Sequence, residues 1–112
     1  MTRAEVREML GEIGLPCAYY RWEDDDPGRP EGPPFLCFYY ARGRDFYADG
    51  ENYAKIEELI LERYADAVDL AEDHRIVGIL NAHRLTCEWE RHYIADQRMW
   101  VTVFRTEVNI EI

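Results

Sequence analysis

The C-terminal quarter of the chain constrains the fold most, because its side chains alternate with a period of two residues. In residues 86–93 one face takes Cys87, Trp89, Arg91 and Tyr93, and the other takes Glu88, Glu90 and His92. In residues 100–111 one face collects Trp100, Thr102, Phe104, Thr106, Val108 and Ile110. Successive side chains of a strand point to opposite faces, so the two runs predict a long β-hairpin connected through residues 94–98.

The N-terminus predicts a short amphipathic helix. Thr2 followed by Glu5 is a capping box, in which each side chain satisfies a backbone N–H at the helix start. Apolar side chains follow at helical spacing, at Val6, Met9, Leu10 and Ile13. We expect Gly14 to end the helix in the left-handed conformation and Pro16 to prevent it from resuming.

Residues 17–41 are predicted to form two strands separated by a loop. Residues 17–22 are aromatic and short, and residues 35–41 are apolar on both faces, so each predicts a strand. Between them, residues 23–34 hold four of the five prolines and predict a surface loop. Arg42-Gly43-Arg44 predicts a turn directly after the second strand, and Asp49-Gly50 predicts another.

Two segments in the middle of the chain have helical character. Residues 53–65 fit a helix by propensity and a strand by alternation, and the pattern alone does not decide between them. Residues 67–83 are a better helix, with Asp66 or Asp69 as the cap. We expect Leu70, Val77 and Leu80 to line its apolar side, with Ile76 and Ile79 adjacent.

The elements together predict an α+β fold in one domain, residues 1–112. A central antiparallel sheet would carry the N-terminal helix and the second helix, in the order α-β-β-β-α-β-β. A chain of 112 residues with 47% hydrophobic side chains is sufficient for one such core.

Charge and cysteine content exclude several classes of function. Thirteen Lys and Arg against 23 Asp and Glu give a net charge of −10, which repels nucleic acid and anionic membranes. We therefore expect no specific nucleic-acid binding and no membrane association. No stretch reaches the ~20 apolar residues of a membrane helix, and the charged start is unlike a signal peptide. Cys17, Cys37 and Cys87 are expected to be free thiols in a reducing compartment.

No group of residues predicts catalysis or a cofactor. Serine is absent, the histidines and cysteines lack the close pairs of a zinc site, and the acidic run after Glu23 fails the spacing of a calcium loop. Cys37 lies in an apolar strand, where burial should raise the pKa of its thiol and leave it unreactive. We therefore predict a protein that is not an enzyme and holds no metal.

Exposed aromatic side chains are the better candidates for function. Tyrosine and tryptophan anchor protein contacts, and this chain has eight and three of them. The candidate partner-contact residues lie at the proline loop, the second turn and the hairpin connection: Trp22, Asp24, Asp25, Asp26, Tyr47, Asp49, Tyr93 and Arg98. The alternative is that the aromatic rings pack as ordinary cross-strand partners.

Several segments resemble one family of phage proteins. They are GLPCAYY, PPFLCFYY, DFYADGENYAKIEELILERYAD and MWVTVFRTEVNI, in this order along the chain. With them the chain resembles the small prophage proteins encoded beside the neck and tail genes of long-tailed phages, which are similar to tail terminators or tail-completion proteins. The resemblance covers nearly the whole chain but includes no catalytic motif.

This resemblance implies a central antiparallel sheet with helices on one side and favours a strand for residues 53–65. It also implies assembly into a ring, of six copies, that caps the tail tube and contacts the tube protein and a head-completion or connector protein. The protein would assemble in the host bacterial cytoplasm and then reside in the virion neck or tail. The alternative function is a small acidic binding module, such as an inhibitor or immunity-type protein, that acts on a basic partner.

Overall fold

The computed structural model describes residues 1–48 and 51–111, and the side chains of residues 1–44 and 55–111. The chain forms α1 (Arg3–Gly11), β1 (Cys17–Tyr19), β2 (Phe35–Ala48) and β3 (Glu51–Ala65). It continues through α2 (Leu70–Ala82), β4 (Cys87–Ile94), a short 3-10 turn (Ala95–Gln97) and β5 (Met99–Ile110). The predicted α+β class and the order α-β-β-β-α-β-β are confirmed.

The strands form one sheet in the spatial order β1-β2-β3-β5-β4. All neighbours are antiparallel except β1, which is short and runs parallel to β2. β5 therefore lies between β3 and β4, and α2 carries the chain across it. The predicted C-terminal hairpin is confirmed as β4 and β5.

The two faces of the sheet differ in what lies on them. Both helices pack on one side, here called the covered face, and enclose the main core. Its buried members are Val6, Met9, Leu10, Ile13, Leu36, Phe38, Leu59, Leu61, Ile76, Leu80, Phe104, Val108 and Ile110. The opposite side, here called the open face, has a smaller buried cluster of Ile60, Val101 and Val103.

The N-terminal helix forms largely as predicted. The Thr2 hydroxyl accepts from the Glu5 backbone N–H at 3.1 Å, and the Glu5 carboxylate accepts from the Thr2 N–H at 3.2 Å. The predicted apolar stripe is buried. The helix ends at Gly11, earlier than predicted, and Gly14 follows with φ +82° in the turn that leads to β1.

The predicted turn at Arg42-Gly43-Arg44 is wrong. β2 continues through these residues and pairs with β3, and the register shifts between Tyr40 and Arg42. A β-bulge absorbs the irregularity, since an extra residue on one strand bends the ladder without ending it. Residues 53–65, which the pattern left open, are part of strand β3. The Asp49-Gly50 turn lies outside the described residues.

Other boundaries are shorter than predicted. β1 ends at Tyr19, because Tyr20 has φ +68° and turns the chain away. Residues 23–34 contain no helix or strand, as predicted. Helix α2 begins at Leu70, and the Asp69 carboxylate accepts from the Glu72 N–H at 3.1 Å. Leu70 is 56% exposed, so its predicted place on the apolar side is wrong.

Candidate interaction surfaces

The proline loop and the hairpin connection lie at the same end of the open face. Together they line a hollow of about 430 Å³, with Trp22 on the loop side and Gln97 and Met99 on the other. Trp22 is half-buried, and its indole Nε1 has no acceptor within hydrogen-bond distance among the described residues. The structure thus brings together two regions that the sequence singled out separately.

The acidic residues of the loop act mainly on the loop itself. Asp24 accepts a hydrogen bond from Arg29 at 2.7 Å. Asp26 accepts from the backbone N–H of Glu23 at 2.7 Å, while Asp25 is exposed. Two of the three candidate carboxylates therefore have a local role in shaping the loop.

Of the remaining candidate residues, two have side chains that the structure describes and two do not. Tyr93 is 52% exposed, and its ring centroid lies 5.1 Å from that of Trp100. Arg98 is exposed and adopts the left-handed conformation, φ 52°, where the connection enters β5. The Tyr47 side chain and the whole of Asp49 lie outside the described residues, so these two candidates stay predictions.

Sequence reasoning did not select Trp89, although it assigned the residue to the correct face of β4. Its side chain is 46% exposed, and the guanidinium carbon of Arg91 lies 5.1 Å from its ring centroid. β4 is one of the two edge strands, so Trp89 and Tyr93 lie beside an edge with which no other strand pairs in residues 1–48 and 51–111. The sequence indicated that two aromatic residues share one face of this strand. It did not indicate that the strand lies at the edge of the sheet, which is what exposes them.

Arginine side chains stack on aromatic rings at the opposite edge. The guanidinium carbon of Arg3 lies 4.3 Å from the Tyr40 ring centroid, and that of Arg7 lies 5.3 Å from the Phe38 centroid. Arg3 also donates to Glu57 at 2.8 Å. Such cation–π contacts hold the guanidinium groups against the sheet while keeping them available at its surface.

A buried polar network joins α2 to three strands. The Asp73 carboxylate accepts from Arg63 Nε at 2.9 Å, from Arg91 at 2.7 Å and from the Thr102 hydroxyl at 3.2 Å. Arg63 and Asp73 are 3% and 2% exposed. A charge at this depth is tolerated because it is paired and hydrogen-bonded. The network explains why an acidic residue occupies the inner side of α2.

The open face carries a set of ion pairs instead. Arg42 and Arg105 flank Glu58 at 3.2 and 3.9 Å, and Arg105 also contacts Glu90 at 2.8 Å. The hydrogen bond from Arg105 lowers the pKa of Glu90 below its ordinary value. The carboxylates of Glu58 and Glu90 are therefore paired with arginine side chains on this face.

The thiols are held in their protonated form by burial. Burial raises the pKa of Cys17 and of Cys37 to about 11, and it also raises the pKa of Cys87. The expectation for Cys37 is confirmed in direction. Within residues 1–48 and 51–111, no three His, Cys, Asp or Glu side chains are grouped as metal ligands would be. In the same part of the chain no helix has the length and apolar character needed to cross a membrane.

Comparison with solved structures shows a similarity of fold. No family model matches the chain, and no curated protein does either. Among solved structures, the chain is similar to a chain of one described as "Virion of native gene transfer agent (GTA) particle". The TM-score is 0.54 at 13% identity, over 95% of this chain and 85% of that one. At this identity the similarity shows a shared fold.

Proposed function

We propose that the chain is a structural, non-catalytic component of a phage-like virion, and that it acts as a tail terminator or head–tail connector. The observation that carries the proposal is the fold shared, over 95% of the chain, with a chain from a gene transfer agent virion. The phage-family resemblance of the sequence supports the same class independently of that comparison.

In this role the protein would form a ring, of six copies, at the head-proximal end of the tail tube. It would contact the tube protein on one side and a head-completion or connector protein on the other. Assembly would take place in the host bacterial cytoplasm, and the ring would then belong to the virion neck or tail.

The charge of the protein suits a ring through which DNA passes. A net charge of −10 per copy is multiplied around a ring, and a negative wall lowers the affinity of a polyanion for it. DNA would then pass without binding to the wall. Exposed Tyr93 and Trp89 on one edge provide aromatic area for contacts between proteins.

The ion pairs on the open face favour this role over an acidic inhibitor. A protein that binds a basic partner through charge needs a continuous negative surface. Arg42 and Arg105 interrupt the carboxylates of the open face and pair with Glu58 and Glu90. The open face is therefore not a continuous negative surface.

The experiment that tests the proposal measures mass and tube length together. The mass of the purified protein is determined across concentration, alone and with the tube protein encoded beside its gene, and tube lengths are measured by electron microscopy. We expect rings of about six copies, formed alone or on the tube, and arrested tube growth. A tube protein from an unrelated phage serves as the control. A monomer that leaves tube growth unchanged would contradict the proposal and favour a basic partner.

A further inference from the structure

The sheet has two open edges, and they lie at opposite ends of the strand order. β4 is hydrogen-bonded to β5 on one side, and nothing else in residues 1–48 and 51–111 pairs with it. On the other edge, β1 covers only Leu36, Cys37 and Phe38 of β2. From Tyr39 onward, the outer side of β2 has no strand beside it within the described part of the chain. Open edges present unpaired backbone N–H and C=O groups, with which a strand of another chain can pair.

The two edges are compatible in length and direction. β4 has 8 residues, and the open part of β2 runs from Tyr39 to Ala48, of which Arg42 to Ala48 lie beyond the bulge. β2 and β5 run in one direction and β3 and β4 in the other, because β2–β3, β3–β5 and β5–β4 are all antiparallel. If the sheet of one copy continued into that of the next, β4 would meet β2 in the antiparallel orientation. The covered faces of both copies would then lie on the same side.

The charges of the two edges are complementary on the open face. Arg42 and Arg44 point to this face of β2, with side chains 81% and 62% exposed. Glu88 and Glu90 are exposed on the same face of β4. In an antiparallel pair, setting Arg42 opposite Glu90 also sets Arg44 opposite Glu88. Opposite charges directly across a ladder stabilise it, whereas like charges destabilise it.

The same register is favoured on the covered face. It sets Trp89, which is 46% exposed, opposite Gly43. Gly43 has no side chain to cover its neighbours, and a Cβ there would lie 3.3 Å from Glu57 Cγ. A glycine in an edge strand is stabilised when an aromatic ring from the neighbouring strand packs over it. From Arg42 to Arg44, beyond the bulge between Tyr40 and Arg42, one register therefore satisfies both faces.

We propose that β4 of one copy pairs with the open part of β2 in the next, in the register Arg42–Glu90, Gly43–Trp89 and Arg44–Glu88. The contact is heterologous, since two different edges meet, and repeated contacts of this kind close into a ring when the rotation between copies allows it. The inference rests on the proposed ring and identifies the surfaces that build it.

A disulfide cross-link tests the register directly. The variant Arg44→Cys/Glu88→Cys is oxidised under the conditions in which mass measurement detects rings, and the products are separated under denaturing, non-reducing conditions. Within one copy, β3 and β5 separate the two positions, about 14 Å at the usual strand spacing, which is too far for a disulfide. We expect a ladder of covalent multimers. Each single variant is a control for disulfides that form with the native Cys87. A second control is Arg29→Cys/Glu88→Cys, because Arg29 lies in the proline loop and outside the proposed contact.

Charge reversal is a second test, and it distinguishes a contact between copies from an ion pair that only stabilises one copy. Arg42→Glu or Glu90→Arg alone should raise the concentration for half-assembly by about tenfold, close to 1.4 kcal/mol. The double variant should restore assembly, because every interface again pairs opposite charges. Within each copy, however, Glu58 and Arg105 still face like charges, so the melting temperature should stay lowered. Recovery of assembly without recovery of stability identifies an intermolecular pair.

The outcomes separate this inference from the proposed function. Rings that form without a covalent ladder beyond the controls, and without recovery in the double variant, overturn the edge pairing and leave the virion role standing. Absence of rings, both alone and with the tube protein, overturns the proposed function and the pairing with it. A ladder with recovery supports both.

Discussion

The covered and open faces of the sheet bury their residues in different ways. On the covered face, helices α1 and α2 lie over the strands and enclose even charged groups, such as Arg63 and Asp73. On the open face, Ile60, Val101 and Val103 are buried by neighbouring side chains of the sheet itself. Two side chains with the same low exposure can therefore be buried in different ways. Whether a helix covers the side chain determines how much stability is lost when it is truncated, and whether another protein can approach it.

The largest effect should come from removing the shared carboxylate of the covered face. Asp73→Ala leaves Arg63 buried without its counter-charge, and removing one partner of a buried pair costs about 3–5 kcal/mol. Urea unfolding of the variant measures the loss. Asp73→Asn is the control, because it keeps a hydrogen-bond acceptor and should be destabilised less. Equal stability of Asp73→Ala and the parent would show that the network does not hold α2 to the sheet.

A core aromatic ring on the same face should matter nearly as much. Phe104 is 1% exposed, so Phe104→Ala should cost about 3–5 kcal/mol through lost burial and a residual cavity. Trp100 lies on the same face of β5 but is only half-buried at the hairpin end, so Trp100→Ala should cost less. Thermal unfolding of the two variants side by side tests this order. A loss below about 1 kcal/mol for Phe104→Ala would contradict the assignment of this face to the core.

The open face should be more tolerant. Val103→Ala removes two carbon atoms from a side chain that is 7% exposed, which corresponds to about 1–2 kcal/mol at the usual value per methylene group. The residue has no helix above it, so the gap can be filled by water or by neighbouring side chains. Val108→Ala on the covered face is the matched control and should cost more when both are measured by urea unfolding. The reverse order would mean that the open face is packed as tightly as the covered one.

The smallest effect concerns the ion pairs of the open face. Arg105 lowers the pKa of the Glu90 carboxyl, so the contribution of Glu90 to stability is present above its unfolded pKa and is lost as the pH falls through the folded value. NMR titration should place the pKa of Glu90 below that of an ordinary glutamate. Arg105→Ala should return it toward the ordinary value with little change in melting temperature. An unchanged pKa would show that the pair is not formed in solution.

Local patterns predicted the elements whose residues carry their own signal. The capping box of Thr2 and Glu5 and the alternation of 86–110 are local features, and α1 and the C-terminal hairpin form where they indicate. The interval 42–44 was misread because Gly43 between two arginines has the composition of a turn, while pairing with β3 keeps it in a strand. Residues 53–65 fit both a helix and a strand by pattern, and they form a strand because they pair with the strands on either side.

The candidate surfaces were harder to predict for the same reason. Trp89 and Tyr93 were placed on the correct strand face, but their exposure depends on β4 lying at the edge of the sheet. Likewise, the sequence did not indicate that Asp24 and Asp26 accept hydrogen bonds within the loop, and their role as partner contacts stays a prediction. Strand order and loop closure are properties of the whole chain, and no local pattern contains them.

The shared carboxylate of Asp73 also has a consequence for the order of folding. Its partners lie 10, 18 and 29 positions away along the chain, on three different strands. The carboxylate can be satisfied only when β5 has already entered between β3 and β4, so helix α2 cannot dock fully beforehand. We therefore expect the full set of Asp73 contacts to form only together with the docking of α2 on the assembled strands β3, β5 and β4.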